Sequence, residues 1–284
     1  MEKLLTVLIP VFNNTSVSVS IESVLKYKTS RVELIVIDGG STDKTMSRIN
    51  RYADFIDELI SEKDKGMYDA LNKGIARARG KWVFCLAADD ILKCDLEKII
   101  LKYGQTGADL MCGNMIVKYT ENKFWKDFSK HDLSLLDYRC TLRHPATLFR
   151  KEAYEKYGPY DGNYICAGDR ELFLRFRNKG AKFTFIPEYI VLFALGGLSG
   201  TDPIKGNFKE DKEISDRYGM SKIRSRFVFY YRIADYVKTK VAKKTNLSKP
   251  VNKLLYILRL KKRPHYLTKL QVEKIFDEQE RRLV

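Results

Sequence analysis

The sequence of 284 residues predicts an α/β fold organised around a parallel sheet, and three observations predict it. Thr6-Val-Leu-Ile-Pro, Val32-Glu-Leu-Ile-Val-Ile-Asp and Lys81-Trp-Val-Phe-Cys-Leu are short apolar runs rich in β-branched and aromatic residues, the pattern of strands buried on both faces. Helical stretches lie between them, and strand alternating with helix implies parallel crossover units. Polar groups close each run. Phe12-Asn13, Asp38-Gly39 and Asp89-Asp90 fall at strand carboxyl ends, where open α/β sheets bind ligands.

In chain order, the first strand leads to a helix over Ser16 to Lys26, with Ile21, Val24 and Leu25 set against Val19, Ser23 and Lys26. A helix from Asp43 to Tyr52, opened by a Ser-Thr-Asp cap, follows the second strand. Gly66 to Arg79 reads as a third helix, with Tyr68, Ala70, Leu71, Ile75 and Ala78 as apolar contacts and Gly80 as its terminator. Beyond Gly113 come a strand at Met115 to Tyr119, a polar segment, His144-Pro-Ala-Thr-Leu-Phe-Arg, a helix from Asp169 to Lys179 and a strand from Lys182 to Pro187. Leu195-Gly-Gly-Leu-Ser-Gly reads as a flexible connection.

The expected organisation is a compact α/β unit over residues 1–210, with halves 1–113 and 114–210, and a tail over 211–284. From Lys222 the tail reads as amphipathic basic helices, with Ile223, Phe227, Tyr230, Tyr231, Ala234, Val237 and Val241 at helical spacing. Further helical segments run over Val251 to Lys262 and from Tyr266 towards Arg282.

Composition narrows the class. A hydrophobic content of 44% supports a full core. Five cysteines without a C-x-x-C pair fit neither a disulfide framework nor a zinc ribbon, and read as reduced thiols in a cytoplasmic protein. The apolar start is short and lacks a small-residue cleavage site, so it reads as a strand rather than a signal peptide. Tyr189 to Leu198 is about half of the roughly 20 residues that cross a bilayer. Of the net charge of +16, residues 201–284 carry +12, from 22 Lys and Arg against 10 Asp and Glu. Residues 1–200 are nearly balanced, so nucleic acid is not expected as a partner.

Two acidic sites stand out. Asp89 and Asp90 either cap a helix beginning near Ile91 or hold a hard cation, because Mg²⁺ and Mn²⁺ at phosphate sites take one or two carboxylates and complete their shell with phosphate and water. Asp38, followed by Gly39-Gly40-Ser41-Thr42-Asp43, either shapes a turn or accepts a hydrogen bond from a nucleoside, with the glycines permitting close backbone approach.

The ordered set Thr6-Val-Leu-Ile-Pro-Val-Phe-Asn, Glu33-Leu-Ile-Val-Ile-Asp-Gly-Gly-Ser-Thr-Asp, Asp64-Lys-Gly-Met-Tyr-Asp-Ala-Leu-Asn-Lys-Gly-Ile-Ala, Gly80-Lys-Trp-Val, Leu86-Ala-Ala-Asp-Asp and Gly168-Asp-Arg-Glu-Leu resembles glycosyltransferase family 2 over about residues 4–200. The Asp-Lys-Gly-Met-Tyr-Asp-Ala wording resembles bacterial enzymes of capsule, exopolysaccharide and O-antigen assembly. The resemblance implies the inverting GT-A fold with a mixed, mostly parallel central sheet. It implies that Pro10, Val11 and Phe12 line a base pocket, that Asp38 binds the base, and that Lys65 and Lys73 lie near ribose or phosphates. The family's D-x-D begins here with Ala88, which leaves Asp89 as a donor contact and Asp90 as the expected ligand of Mn²⁺ or Mg²⁺.

Asp169 matches the acidic residue of the family's E-D or G-D motif and is the expected catalytic base, with Glu171 as an alternative and an ordinary helix cap as the structural one. The helix N-terminus is expected to favour its ionised form. His144 is either structural or, by the resemblance, near metal or acceptor. Gly196 to Gly200 is expected either to fold over the donor or to serve as a linker. No Q-x-x-R-W motif of processive synthases occurs, which favours transfer of a single sugar.

The implied partners are a nucleotide-diphosphate sugar and a saccharide or lipid-linked saccharide acceptor. Basic aromatic helices over 222–284 suit an anionic membrane surface, placing the protein at the inner face of the cell membrane. The alternative is that they pack on the catalytic unit or on a second copy in a homo-oligomer. Two other classes remain: a non-catalytic binder of membrane or nucleic acid with this fold, and a nucleotidyltransferase. The latter is expected to carry a glycine-rich basic loop, which Pro10-Val-Phe-Asn-Asn is not.

Overall fold

The computed structural model describes residues 2–195, 208–221 and 266–283, with residues 223, 225–227, 229–230, 233–234 and 236 between them. Strand β1 (Leu5–Val11), helix α1 (Val17–Leu25), β2 (Val32–Asp38), α2 (Thr45–Ile49), β3 (Glu58–Ser61), α3 (Met67–Arg77) and β4 (Trp82–Cys85) form the first half. Next come β5 (Ile91–Leu92), α4 (Leu96–Tyr103), β6 (Leu110–Thr120), β7 (Lys123–Asp127), β8 (Thr147–Arg150), α5 (Lys151–Tyr157), α6 (Gly168–Asn178), β9 (Phe183–Ala194) and α7 (Lys209–Arg217). A C-terminal helix spans Lys269–Arg282.

The described strands make one sheet in the order β3-β2-β1-β4-β8-β6-β9-β5, with β7 paired to β6. β3, β2, β1 and β4 are parallel, β8 is antiparallel to both neighbours, and β6 and β9 are again parallel. The sheet is thus mixed and mostly parallel. Register places Val11 opposite Asp38 and Asp38 opposite Ser61, so the segments after β1, β2 and β3 leave one edge together.

Side chains alternate across β1. Val7 and Ile9 share a cluster with Ile21 and Val24 of α1 and Ile99 of α4, whereas Leu8 shares one with Leu71 of α3 and Phe173 of α6. Burial on both faces explains why these strands read as continuous apolar runs.

At the opposite edge, Glu33 is fully buried inside β2 and accepts hydrogen bonds from Thr6 Oγ1 (2.6 Å), the Arg79 backbone N–H (2.8 Å) and Arg79 Nε (2.5 Å). Gly80, expected to stop the third helix, has another task. The helix ends at Arg77, and a Cβ on Gly80 would lie 2.4 Å from Thr6 N and 2.5 Å from Leu5 C. The glycine admits β1 at backbone contact.

Several elements differ from expectation. The second helix is shortened to Thr45–Ile49 and continues as a 3₁₀ turn, Asn50–Phe55. The strand expected at residues 182–187 runs on to Ala194, because its far half pairs with β6 and β5. The boundary expected at residue 210 falls inside α7. Arg170 explains this: fully buried, it donates to Leu136 O, Asp137 O, Asp211 O, Asp211 Oδ1 and Ser215 Oγ, tying α7 to α6.

The C-terminal helix opens with a Thr268–Gln271 capping box and lays Val272 and Phe276 on Ile116 and Phe124. Gln279 completes the join: its Oε1 accepts Tyr189 N–H at 2.7 Å and its Nε2 donates to Tyr189 O at 2.9 Å. No helix among the described residues is long and apolar enough to cross a membrane. The Gly196 to Gly200 loop and the helix expected over 251–262 lie outside the described residues.

Candidate active site

The site is built on the carboxyl edge of the parallel strands. Asn13, just past β1, adopts φ 46°, a left-handed conformation that asparagine tolerates better than most residues. Its N–H donates to Ser41 Oγ (2.8 Å) and its Oδ1 accepts Thr42 N–H (2.9 Å), joining the segments after β1 and β2. Beside this junction Phe12 is 59% exposed, while Val11 is buried in the core and Pro10 is half-buried.

Asp38 is buried, and its carboxylate accepts from Gly40 N–H, Ser41 N–H and Ser61 Oγ at 3.2, 3.1 and 2.8 Å. These bonds shape the glycine turn. Gly39 lies under the Asp64 carboxyl: a Cβ there would sit 2.4 Å from Asp64 Oδ2. Asp64 Oδ1 in turn accepts Gly66 N–H at 2.9 Å, setting the entry of α3. Lys65 is exposed at that entry. Lys73, two turns on, has its ammonium 2.9 Å from Glu62, 3.7 Å from Asp69, and donating to Lys63 O at 3.0 Å.

The helix expected near Ile91 is instead strand β5, and α4 begins only at Leu96 with Asp95 as its cap, accepting Lys98 N–H at 3.2 Å. Asp89 and Asp90 therefore do not cap a helix. Asp90 Oδ1 accepts Ala194 N–H at 2.9 Å, prolonging the β5–β9 pairing by one side chain. Its Oδ2 is buried and has no hydrogen-bond partner. Burial, opposed by the Ala194 bond and reinforced by the charge of Asp89, pushes the Asp90 carboxyl up to about 8, and burial raises that of Asp89 as well.

An orphaned, buried carboxylate oxygen fits a cation, which would favour the ionised form. Among the described residues no group of three or more His, Cys, Asp or Glu side chains gathers to hold a metal. The donor set present fits a hard ion that shares its shell with phosphate oxygens and water.

Asp169 lies in the first turn of α6, half-buried. It does not cap the helix. Glu210 of α7 instead holds the segment ahead of α6, its carboxylate accepting the N–H groups of Ile165, Cys166 and Ala167 at 2.9, 2.9 and 2.8 Å. Asp169 Oδ1 accepts Arg170 N–H (2.7 Å), Oδ2 accepts the Cys140 thiol (3.5 Å), and its own N–H donates to Tyr68 Oη (3.2 Å). Burial pushes the carboxyl up to about 6, against the Arg170 bond and with help from the Asp211 charge. Desolvation thus outweighs the pull of the helix terminus on the ionised form and leaves a carboxyl poised near neutral pH.

Glu171 is fully buried, paired with Arg175 Nε at 3.0 Å and bonded to the Tyr218 hydroxyl. These partners occupy it. His144 Nε2 lies 2.5 Å from the Tyr160 hydroxyl, with the rings of Phe149 and Phe173 around the imidazole, and burial lowers its pKa to about 4. The ring is neutral at physiological pH.

Tyr68, Cys140 and Glu210 are the residues around Asp169 that sequence reasoning missed. Tyr68 was visible inside the Asp64 to Ala76 motif but read as an apolar helix contact. Cys140 and Glu210 carry no local signal, because Cys140 reaches Asp169, and Glu210 the amides ahead of α6, from segments 29 residues before Asp169 and 41 after it.

A mixed sheet whose carboxyl edge gathers Asp38, Asp64, Asp89 and Asp90, with a buried acid at a neighbouring helix start, defines a GT-A nucleotide-sugar transferase fold. The profile described as Glycosyl transferase family 2 matches residues 6–175, and the chain belongs to that family. It is a glycosyltransferase. The chain is 30% identical over 225 residues to the PGL/p-HBAD biosynthesis glycosyltransferase of Mycobacterium bovis, covering 76% of this chain and 84% of that protein. Its fold is similar to that of S. aureus TarS 1–349 in complex with UDP-GlcNAc, at TM-score 0.62 and 13% identity, covering 80% of this chain and 70% of that one. It is also similar to the mannosyltransferase PcManGT of Pyrobaculum calidifontis in complex with GDP-Man and Mn²⁺, at TM-score 0.61 and 15% identity, covering 90% and 81%.

Proposed function

We propose that the protein is a metal-dependent, inverting enzyme that moves one sugar from a nucleotide-diphosphate sugar to a hydroxyl of a saccharide or lipid-linked saccharide, in surface polysaccharide or glycolipid synthesis. The observation that carries this reading is Asp169, in the first turn of α6 and bonded through its N–H to Tyr68 of α3, with its carboxyl raised to about 6 by burial. A carboxylate near this pKa removes a proton from an attacking hydroxyl efficiently at neutral pH. Direct attack by that oxygen on the anomeric carbon inverts configuration in one displacement, with no covalent sugar on the protein.

The chain's other residues hold the donor. Phe12 offers an exposed ring to the base, the turn shaped by Asp38 presents backbone groups, and Lys65 stands free at the mouth of α3 for phosphate. Asp90, with Asp89 as a donor contact, would hold Mn²⁺ or Mg²⁺, which when bound neutralises charge on the departing diphosphate. The donors in complex with the structural neighbours, UDP-GlcNAc and GDP-Man, support this substrate class. Incubation with Mn²⁺ and a panel of UDP-, GDP- and dTDP-sugars is expected to release nucleoside diphosphate from one donor, faster with acceptor. Release from none, with or without saccharide acceptors, defeats the reading.

A peripheral membrane role rests on one observation. Ile223, Phe227 and Tyr230, spaced to share a helix face, are 83%, 72% and 65% exposed, and the surrounding sequence is basic. Sedimentation with phosphatidylglycerol vesicles is expected for the intact chain and reduced when these three residues become serine. Equal sedimentation of both proteins removes this role.

A further inference from the structure

We propose that Tyr68 is a positioning residue that couples the donor-binding segment 64–69 to the base Asp169; the inference rests on the reaction proposed above. Its hydroxyl accepts Asp169 N–H at 3.2 Å and donates to Cys166 O at 3.1 Å, so one oxygen bridges the approach to α6 and its first turn. Desolvation in its buried site holds the phenol well above the usual tyrosine range, so the O–H stays protonated and both bonds persist across working pH.

Packing leaves this contact little freedom. The Gly168 backbone lies against the Tyr68 ring so closely that a Cβ would come within 2.7 Å of it. On the same side of α3, the ring stacks on Tyr160 at 5.4 Å, and Asn72, one turn further, binds both the N–H and the carbonyl of Tyr160 at 2.9 Å. α3 therefore grips the chain ahead of α6 as well as α6 itself.

At this same end, α3 starts where Asp64 binds Gly66 N–H and rests on Gly39, next to Asp38. An unbroken series of contacts runs from the turn after β2, through Asp64 and Tyr68, to the Asp169 amide. Asp64 reaches Tyr68 through the backbone of Gly66 and the first turn of α3. A shift of the donor-side turn is transmitted to the base through rigid groups, and the base keeps its place relative to the anomeric carbon. Geometry of this kind acts on kcat, because it matters only when the acceptor oxygen attacks.

Tyr68→Phe keeps the ring, its stack and its contact with Gly168, and deletes only the hydroxyl. With the panel donor that gives the fastest nucleoside diphosphate release, kcat is expected to fall roughly 10- to 100-fold, the cost of misplacing a reacting group by about 1 Å. Donor KM is expected to stay within about twofold, since the lost interaction bears on the transition state. Gly168→Ala, which pushes α6 off the ring with Tyr68 and Asp169 intact, is expected to give the same split. A hydroxyl that only supports the fold would lower the melting temperature and leave kcat of the folded protein unchanged, and that result in both variants overturns the coupling. An inactive Asp169→Asn beside fully active Tyr68→Phe and Gly168→Ala sinks the coupling alone, whereas normal transfer by Asp169→Asn sinks the base assignment and the coupling with it.

Discussion

Asp90 binds Ala194 through one carboxylate oxygen and leaves the other buried without a hydrogen-bond partner. The two oxygens have separable tasks. Asp90→Asn retains an acceptor for the Ala194 amide and removes the charge, so the fold is expected to keep or raise its melting temperature. Mn²⁺-dependent donor binding, followed by calorimetry, is expected to disappear. Asp90→Ala loses both tasks and is expected to cost a further 1–3 kcal/mol or so, the penalty of an unsatisfied buried amide. Retained metal-dependent binding in Asp90→Asn would remove the residue from the metal site.

As the proposed base, Asp169 is expected to set the acid limb of the reaction. The carboxyl must be ionised to accept a proton, and its pKa is raised to about 6, so kcat/KM is expected to fall about tenfold per pH unit below that point. Asp169→Asn is expected to lower transfer by about 10²- to 10⁴-fold with donor affinity preserved.

The same carboxyl trades stability for this role. Its folded pKa lies above the usual 3.8, so its contribution to stability is full below pH 3.8 and is lost as pH rises through about 6. Asparagine has no charge to desolvate. Asp169→Asn is therefore expected to melt higher than the parent at pH 7.5 and to lose that advantage at pH 4, a crossing readable by thermal denaturation.

Arg170 holds α7 to α6 through three hydrogen bonds to Asp211 and Ser215, including the pair with Asp211 at 3.0 Å, and donates two more to Leu136 O and Asp137 O. Arg170→Ala removes the buried guanidinium that binds the Asp211 carboxylate and several carbonyls. A loss of about 3–5 kcal/mol in urea unfolding is expected, the usual cost of breaking a buried pair. Without α7 held in place, Glu210 also releases the amides before α6, so the acid limb of the pH profile should move with it.

Gly80→Ala tests the amino edge of the sheet. Its Cβ meets the backbone of β1 rather than a flexible side chain, so the strands must separate, and a loss of about 1–3 kcal/mol or more is expected from chemical denaturation. A helix terminator alone would predict a far smaller change.

The sequence by itself determined the parallel half of the sheet, α1, α3 and α6, and the carboxyl-edge placement of Asp38, Asp89 and Asp90. Buried parallel strands announce themselves as continuous β-branched runs, and their ends as the glycines and acids that follow. Shorter or half-exposed elements were silent. β3 alternates as Glu58-Leu-Ile-Ser with its side chains only partly covered, and β5 has two residues, each defined by pairing across the chain.

Only the tertiary structure decided what the acids do. Asp95 rather than Asp90 caps α4, and Glu210 binds the amides ahead of α6 while Asp169 binds Arg170 N–H within it, because such bonds go to whichever carboxylate the fold brings within reach. The pKa of Asp169 follows first from desolvation by burial, with the charge of distant Asp211 adding to it and the bonds from Arg170 and Cys140 opposing it, and overrides the local pull of the helix terminus. Local pattern specifies which elements form. The ionisation and aim of a buried side chain depend on every group that surrounds it, and that surrounding exists only once the chain has folded.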